Sequence, residues 1–258
     1  MTIELNNNVY TDGGNDTETT PVVLVHGFPV DHRMWDGEGP IPSDEDSGGK
    51  DADGAFPYGL DRMADAYVDL LHAAGYGKAI WVGLSMGGYL ILDIQRLHPE
   101  AVAALALCDT KADADSADMR LKRVAIATDC ETTGTHEPVM GFAVPSEADS
   151  TVKQSDAYCR QFETWINEQP ADGIAWRERM AAGRPDLNDV LPNINVPVAV
   201  ICGDKDPSSP PAVMKPVADA MTKTDVTMTV IDDCGHFSAY EHPDQVAAAL
   251  LELVKRVG

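Results

Sequence analysis

Apolar residues along the chain fall into short continuous runs and longer stripes at helical spacing. The runs lie at 22–25, 78–84, 101–108, 196–202 and 226–231. Such short runs, bounded by Gly, Pro or polar residues, are typical of buried strands. The stripes predict helices at 59–74, 85–97, 211–221 and 243–257. Strands that alternate with helices in this way indicate an α/β fold with a mostly parallel central sheet.

The pattern changes between residues 111 and 191. Strand signals disappear, and polar helical stretches alternate with Gly and Pro. We interpret this segment as a helical insertion between two core strands, with residues 1–110 as the first part of the core and 192–258 as the second. A further segment, 36–54, is rich in Gly, Asp, Glu and Ser, and this composition predicts a mobile acidic loop.

Composition narrows the possible partners. The 42 acidic and 19 basic residues give a formal net charge of −23, which repels nucleic-acid backbones and anionic lipid surfaces. The start of the chain lacks the pattern of a secretion signal, and no apolar run approaches the length of a membrane span. Five scattered cysteines have no metal-ligand spacing. We therefore expect a cytoplasmic protein with reduced thiols that binds neither nucleic acid nor membranes.

Residues 83–87 read Gly-Leu-Ser-Met-Gly and lie between a predicted strand and a predicted helix. This is the G-x-S-x-G pattern of a nucleophile elbow, in which glycines permit the sharp turn that exposes the serine. The start of the following helix favours negative charge that develops nearby. The pattern alone is a weak signal, but its setting makes Ser85 the candidate nucleophile.

A serine hydroxyl needs a nearby base to act as a nucleophile. Of the seven histidines, His236 follows directly after the last predicted strand, within Cys-Gly-His-Phe at 234–237. It therefore lies at the carboxyl edge of the sheet, as Ser85 does. His98 and His242 lie at predicted helix ends and are better explained as caps. His236 is the candidate base.

The imidazole in turn needs an acid that fixes its tautomer and stabilises its charged form. Residues 202–207, Cys-Gly-Asp-Lys-Asp-Pro, follow the preceding predicted strand. Asp206 lies further out in this loop and is our choice for the acid, whereas Asp204 is better placed to brace the turn. Asp109, at the end of the strand after the nucleophile helix, is a rival.

An oxyanion hole completes such a site. The backbone N–H that follows the nucleophile, that of Met86, supplies one donor. The second donor is expected in the loop after an earlier strand, where His-Gly-Phe-Pro stands at 26–29, and we assign it to the N–H of Phe28.

Four motifs occur in order along the chain: HGFP, GLSMGG, CGDKDP and CGHF. With their Ser, Asp, His order they resemble the α/β-hydrolase superfamily. Longer stretches are similar to the carboxylesterases and enol-lactonases grouped around 3-oxoadipate enol-lactonase: HGFPVDHRMW, VGLSMGGYL and LCDTKADAD. The resemblance extends over nearly the whole chain and implies a helical cap between core strands. A serine at the elbow separates the chain from epoxide hydrolases and haloalkane dehalogenases, which carry aspartate there.

The resemblance fails at one place. Members of the family carry a helix and a central strand between the loop at 26–29 and the helix before the elbow. Here DHRMWD passes directly to GEGPIPSDEDSGG, without a strand pattern. Losing a central strand leaves both neighbours without a pairing partner. Either the sheet has re-paired after a deletion, or the sequence omits a piece between Trp35 and Gly39. We favour omission, which a break in space near residues 36 and 37 would show.

These observations predict a serine hydrolase that cleaves small carboxylic esters through an acyl-enzyme and needs no metal or organic cofactor. Enol-lactone hydrolysis, C–C bond hydrolysis and perhydrolysis use the same triad and remain alternatives, as does a non-catalytic receptor for a small molecule. Large apolar cap residues are candidates for the substrate pocket or for the core of the cap: Phe142, Trp165 and Trp176. The sequence does not predict the oligomeric state.

Overall fold

The computed structural model describes residues 2–5, 8–11, 20–34 and 48–257. Five strands form one all-parallel sheet in chain order: β3 (Val22–Val25), β4 (Ala79–Leu84), β5 (Val102–Cys108), β6 (Val198–Gly203) and β7 (Val226–Ile231). Two earlier strands, β1 (Thr2–Leu5) and β2 (Asn8–Thr11), pair antiparallel as a separate two-stranded sheet. The predicted parallel sheet is confirmed.

The three middle strands form the centre of the core. Every residue of β4, β5 and β6 is buried, as their unbroken apolar runs require for strands covered on both faces. The Trp81 side chain is fully buried in β4, and its indole N–H donates to the Ala101 carbonyl at 2.9 Å. The outer strands β3 and β7 are partly exposed.

Helices flank the sheet: α1 (Gly59–Ala73), α2 (Met86–Leu97), α6 (Pro211–Ala220), α7 (Ser238–Glu241) and α8 (Pro243–Val257). Helix α1 packs on α2, which packs on β4 and β5, while α8 packs on β5 and β6, and α6 on β6 and β7. In α1 the buried stripe includes Leu60, Met63 and Ala64, at the spacing that predicted the helix. None of the helices in the described part of the chain is long and apolar enough to cross a membrane.

Between β5 and β6 the chain is helical, with no strand from residue 109 to 197, a stretch described throughout. It contains α3 (Ala117–Thr133), α4 (Asp156–Glu168) and α5 (Ala171–Gly183). Serine hydroxyls cap two of these helices: Ser116 accepts from the Met119 N–H at 3.3 Å, and Ser155 from the Tyr158 N–H at 3.2 Å. Helix α5 packs on both α3 and α1 and so joins this helical segment to the core.

The sequence analysis made two predictions for the region after Trp35: an acidic loop at 36–54 and an omitted piece between Trp35 and Gly39. Both fall largely outside the described residues. In the described part of the chain β3 pairs with β4 and with no other strand, so its second edge has no described partner. Residues 48–54, the described end of the predicted acidic loop, form a turn. There the Asp51 carboxylate accepts from the Ala55 N–H at 2.9 Å and forms an ion pair with Arg120 of α3.

Candidate active site

Ser85 occupies the turn between β4 and α2 with an uncommon backbone conformation, φ 53° and ψ −110°. Its neighbours leave no room for side chains: a Cβ on Gly83 would lie 2.2 Å from the Gly87 carbonyl oxygen, and one on Gly87 would lie 2.4 Å from that of Val25. The Ser85 N–H donates to the Cys108 carbonyl at 2.9 Å. The end of β5 therefore supports the turn, and both glycines of the motif have a steric reason.

His236 lies in the loop that follows β7. Its Nε2 is 2.8 Å from the Ser85 Oγ, within hydrogen-bond distance. On the other side of the ring, Nδ1 lies 2.9 Å from Oδ2 and 3.0 Å from Oδ1 of Asp206, in the loop after β6. The structure therefore brings together the three residues chosen from the sequence, at the carboxyl ends of β4, β6 and β7.

The Asp206 carboxylate is buried and held in place by its own loop. Oδ1 accepts from the Ser208 N–H at 2.8 Å, and Oδ2 accepts from the Ser209 hydroxyl at 2.9 Å. Burial by itself raises the pKa of Asp206, but the charge and hydrogen bond of His236 and the two serine contacts hold it below its ordinary value. Asp206 is therefore ionised at neutral pH.

His236 shows the complementary shift. Burial lowers the pKa of His236, but the adjacent Asp206 carboxylate raises it by charge and by hydrogen bonding, with smaller contributions from Asp109 and Glu241, and the result lies above 6.5. A histidine stabilised in its protonated form is suited to take a proton from Ser85 and hold it transiently.

The two rival acids have other contacts. Asp204 is exposed, and its Oδ1 accepts from the Cys234 N–H at 3.2 Å, so it braces the turn as expected. Asp109 is buried and bridges the end of β6 and the start of α7: Oδ1 accepts from the Gly203 N–H and Oδ2 from the Ser238 N–H, each at 3.1 Å. Burial and the nearby Asp206 charge raise the pKa of Asp109 to about 8. Neither residue contacts the His236 ring.

Glu241 of α7 holds the loop that carries His236, and the sequence analysis did not select it. It is buried, and it accepts from the Gly235 N–H at 2.7 Å and the Phe237 N–H at 3.2 Å, the residues on either side of His236. The Ser150 hydroxyl, from the helical segment, donates to the same carboxylate at 2.5 Å. Glu241 therefore fixes the loop that carries His236 and connects it to the helical segment between β5 and β6. The sequence does show an acidic residue five positions after His236, but this spacing does not by itself indicate that the two are in contact.

A cavity of about 320 Å³ opens beside Ser85 and His236. Its lining includes Phe28 and Met86, the two predicted oxyanion donors. The described residues provide no acceptor for the backbone N–H of either one. The Phe28–Pro29 peptide bond is cis.

The aromatic residues chosen from the helical segment separate into two groups. Phe142 lines the cavity and packs edge-on against Phe28 and Phe237, with ring centroids 6.1 and 6.0 Å apart. Trp165 and Trp176 are not among the described residues that line it. Trp165 packs against Phe162 and Tyr240, and Trp176 against Phe56. Both tryptophans are buried core residues, which is the alternative that the sequence analysis left open.

The family of the chain follows from comparison with known proteins. A model of the alpha/beta hydrolase family matches residues 22–249, which include every residue of the site. The chain belongs to the alpha/beta hydrolase family. The resemblance carried by its four motifs is therefore confirmed.

This hydrolase is similar to several known proteins. It is 26% identical over 248 residues to the dihydrolipoyllysine-residue acetyltransferase component of the acetoin cleaving system of Pseudomonas putida, covering 92% of this chain and 64% of that protein's length. It is 24% identical over 259 residues to a pimeloyl-acyl-carrier-protein methyl ester esterase of Neisseria meningitidis, covering 92% of this chain and 94% of the esterase. A solved structure of a thermophilic esterase from Thermogutta terrifontis matches with a TM-score of 0.77 and 28% identity, covering 92% of this chain and 90% of that one.

The cavity of this hydrolase also holds polar residues that the sequence analysis did not select. Tyr158 of α4 and Arg177 of α5 both line it and are almost completely buried. The Tyr158 hydroxyl has no hydrogen-bond partner among the described groups. Among the described residues no group of three or more His, Cys, Asp or Glu side chains is arranged to hold a metal ion.

Proposed function

We propose that the protein hydrolyses small carboxylic esters through an acyl-enzyme formed on Ser85. The observation that carries the proposal is the continuous hydrogen-bonded series from Ser85 Oγ through His236 to Asp206, open to a cavity on the serine side. Nucleophile, base and orienting acid are each within hydrogen-bond distance of the next, which is the geometry that acyl transfer by serine requires.

In the first half of the reaction the Ser85 oxygen attacks the ester carbonyl carbon while its proton passes to His236 Nε2. The negative charge that forms on the carbonyl oxygen is stabilised by the backbone N–H groups of Phe28 and Met86. Each such donor is typically worth about 10²–10³ in rate. The C–O bond of the ester then breaks, and the leaving alkoxide takes the proton from His236, which releases the alcohol.

The second half repeats these steps with water. His236 removes a proton from a water molecule as its oxygen attacks the acyl-serine carbonyl. The tetrahedral intermediate collapses by breaking the bond to Ser85, whose oxygen recovers the proton from His236. The products are the carboxylic acid and the original enzyme. Asp206 stays ionised throughout and stabilises the protonated ring.

The relatives support this assignment. Two of the proteins described above, from Neisseria meningitidis and Thermogutta terrifontis, are named as esterases, and each aligns along nearly its full length. The named acetyltransferase component is longer than the matched region. We therefore infer that the substrate of this chain is an ester and that water is the acyl acceptor.

The test joins covalent labelling to turnover. A fluorophosphonate probe is expected to label the parent at Ser85, with a new O–P bond and loss of fluoride. The same protein should hydrolyse a series of 4-nitrophenyl esters. The Ser85→Ala variant should remain unlabelled and lose at least about 10⁴-fold in kcat.

Ser238→Ala is the matched control, because it removes a buried serine hydroxyl that has no partner among the described groups. It should be labelled and active like the parent. Labelling of Ser85→Ala, or ester hydrolysis that survives this substitution, would overturn the proposal. A folded parent that resists the probe would instead favour a non-catalytic binding protein.

A further inference from the structure

The cavity beside Ser85 is opposite in charge to the rest of the molecule. The chain has 42 acidic and 19 basic residues. Yet none of the described residues that line the cavity is acidic, while three are cationic: Arg123, Lys153 and Arg177. A cavity lined in this way favours an anionic ligand.

Two of these cations already have carboxylate partners. Arg123 donates to Asp115 at 2.5 Å and to Glu178 at 2.8 Å. Lys153 lies 2.9 Å from the Asp149 carboxylate. Their charges are neutralised within the protein, so they do not by themselves require an anion in the cavity.

Arg177 differs from both. It is 4% exposed, and no described carboxylate lies within ion-pair distance of its guanidinium. Its one hydrogen bond to a described group runs from Nη1 to the neutral Gln169 Oε1 at 3.2 Å. A guanidinium carries five N–H donors, so most of its donors have no described partner. Burial lowers the pKa of Arg177 only to about 10, and the side chain therefore stays charged at neutral pH.

Among the described acids, Asp31 acts on Arg177 through its charge, although no ion pair joins the two side chains. Gln169 links it to Asp31 by donating from Nε2 to the Asp31 carboxylate at 2.6 Å. That carboxylate directly binds Arg33 at 2.8–3.0 Å. Asp31 thus forms its ion pair with Arg33, and no carboxylate of the described residues forms an ion pair with Arg177, which lines the cavity. Charges buried in proteins are ordinarily paired.

We propose that Arg177 binds a carboxylate of the substrate, so that the preferred substrates are esters that also carry a free carboxylate, such as monoesters of dicarboxylic acids. This inference rests on the proposed ester hydrolysis at Ser85. The planar fork of arginine matches a carboxylate in geometry. A single positive charge that has no ion pair among the described residues also matches the single charge of a carboxylate better than the nearly double charge of a phosphate monoester.

The kinetic test uses two esters of one acyl chain. Methyl hydrogen adipate carries a free carboxylate, and dimethyl adipate carries none, and methanol release is measured for both. The parent should prefer the monoester by about 10-fold or more in kcat/KM. Arg177→Met should lose on the order of 10²-fold on the monoester, the range for hydrogen bonds to a charged group, and less than about 3-fold on the diester. Arg177→Lys, which keeps the charge, should lose less on the monoester than Arg177→Met.

Arg160→Met is the matched control, since it removes an arginine that is 73% exposed on α4, and both esters should be cleaved as by the parent. If Arg177→Met slows both esters equally, or if the parent does not prefer the monoester, Arg177 is a structural residue and the inference is wrong. If Arg177→Met does not fold, the Arg177→Lys comparison decides in the same way.

A binding measurement separates this inference from the proposed function. Calorimetric titration of methyl hydrogen adipate into Ser85→Ala should show binding that weakens on the order of 10²-fold when Arg177→Met is added. This result is independent of turnover. Failure of the esterase assays together with Arg177-dependent binding would overturn the proposed function alone, whereas esterase activity with binding indifferent to Arg177 would overturn the carboxylate site alone.

Discussion

At the scale of single residues, the site depends on how closely His236 is held. Each ring nitrogen has one partner, Ser85 on one side and Asp206 on the other. Asp206 is oriented in turn by its own loop, because Ser208 and Ser209 each donate to one of its oxygens. The tautomer with hydrogen on Nδ1 and a free lone pair on Nε2 is therefore the one that this arrangement stabilises.

The substitution Asp206→Asn tests this coupling. It removes the charge that raises the pKa of His236, so burial then lowers that pKa. The neutral base is the active form, and kcat/KM of the parent should rise with pH through a midpoint above the ordinary pKa of histidine. In the variant the midpoint should move to lower pH, and kcat should fall by on the order of 10⁴-fold because the wrong tautomer is favoured.

The control is Asp204→Asn, which keeps the side-chain oxygen that accepts from Cys234. Its pH profile and kcat should match those of the parent to within about 3-fold. A large loss in Asp204→Asn with a normal profile in Asp206→Asn would exchange the roles of the two aspartates.

The sequence predicted those site residues that directly follow a recognisable strand. Ser85, Asp206 and His236 each come after a short apolar run, so parallel topology alone places them at one edge. Arg177 carried no such signal. Helix α5 is buried almost all round, with Arg177, Glu178 and Arg179 consecutive and all buried, so no apolar stripe shows which side faces the cavity.

At the scale of elements, two buried acidic side chains fasten the segments that carry the site. Asp109, at the end of β5, joins the start of the acid loop to α7. Glu241, within α7, holds the backbone on both sides of His236 and receives a hydrogen bond from Ser150 of the helical segment. The β5 end, the loop after β7 and the helical segment are therefore connected by two side chains that form no hydrogen bond with Ser85.

Glu241→Gln should loosen this connection. The amide nitrogen of glutamine cannot accept from a backbone N–H, so one of the buried donors beside His236 loses its partner. We expect a loss of about 1–3 kcal/mol in unfolding free energy, measured by urea denaturation. We also expect kcat to fall by about 10-fold as the ring loses its fixed position. Removing the Glu241 charge should move the midpoint of the kcat/KM profile to lower pH.

Ser150→Ala leaves both backbone hydrogen bonds of Glu241 in place. It removes the contact of Glu241 to the helical segment, together with the hydrogen bond that the Ser150 hydroxyl accepts from the Lys153 N–H at 3.0 Å. It should keep the parental pH midpoint and lose less stability than Glu241→Gln. If the two variants behave alike, the contribution of Glu241 comes from its contact with Ser150 and not from the histidine loop.

The element boundaries show where a sequence pattern stops being informative. The apolar run at 196–202 predicted a strand from residue 196, whereas β6 begins two residues later, at Val198. Pro197 explains the difference: it has no N–H for a strand ladder, and its carbonyl accepts from the Leu105 N–H at 3.1 Å.

At the scale of the whole molecule, charge is the dominant feature. The net charge of −23 leaves many carboxylates without a cation of their own. Exposed pairs such as Lys215 with Asp219, at 2.7 Å, contribute little stability and are weakened by salt. Salt also weakens the repulsion among the remaining carboxylates. This repulsion involves more charges than the attraction within the exposed ion pairs. The balance therefore favours the folded state as ionic strength rises.

Urea denaturation at increasing salt measures this balance. Raising NaCl from about 0.01 M to about 0.3 M shortens the screening length from about 30 Å to well under 10 Å. We expect the unfolding free energy to rise by about 1 kcal/mol or more, with an unchanged m value. Tetramethylammonium chloride at equal ionic strength should give the same rise, because the effect is screening and not binding of a sodium ion. A decrease with salt would mean that attractive ion pairs, and not carboxylate repulsion, govern the electrostatic stability of the fold.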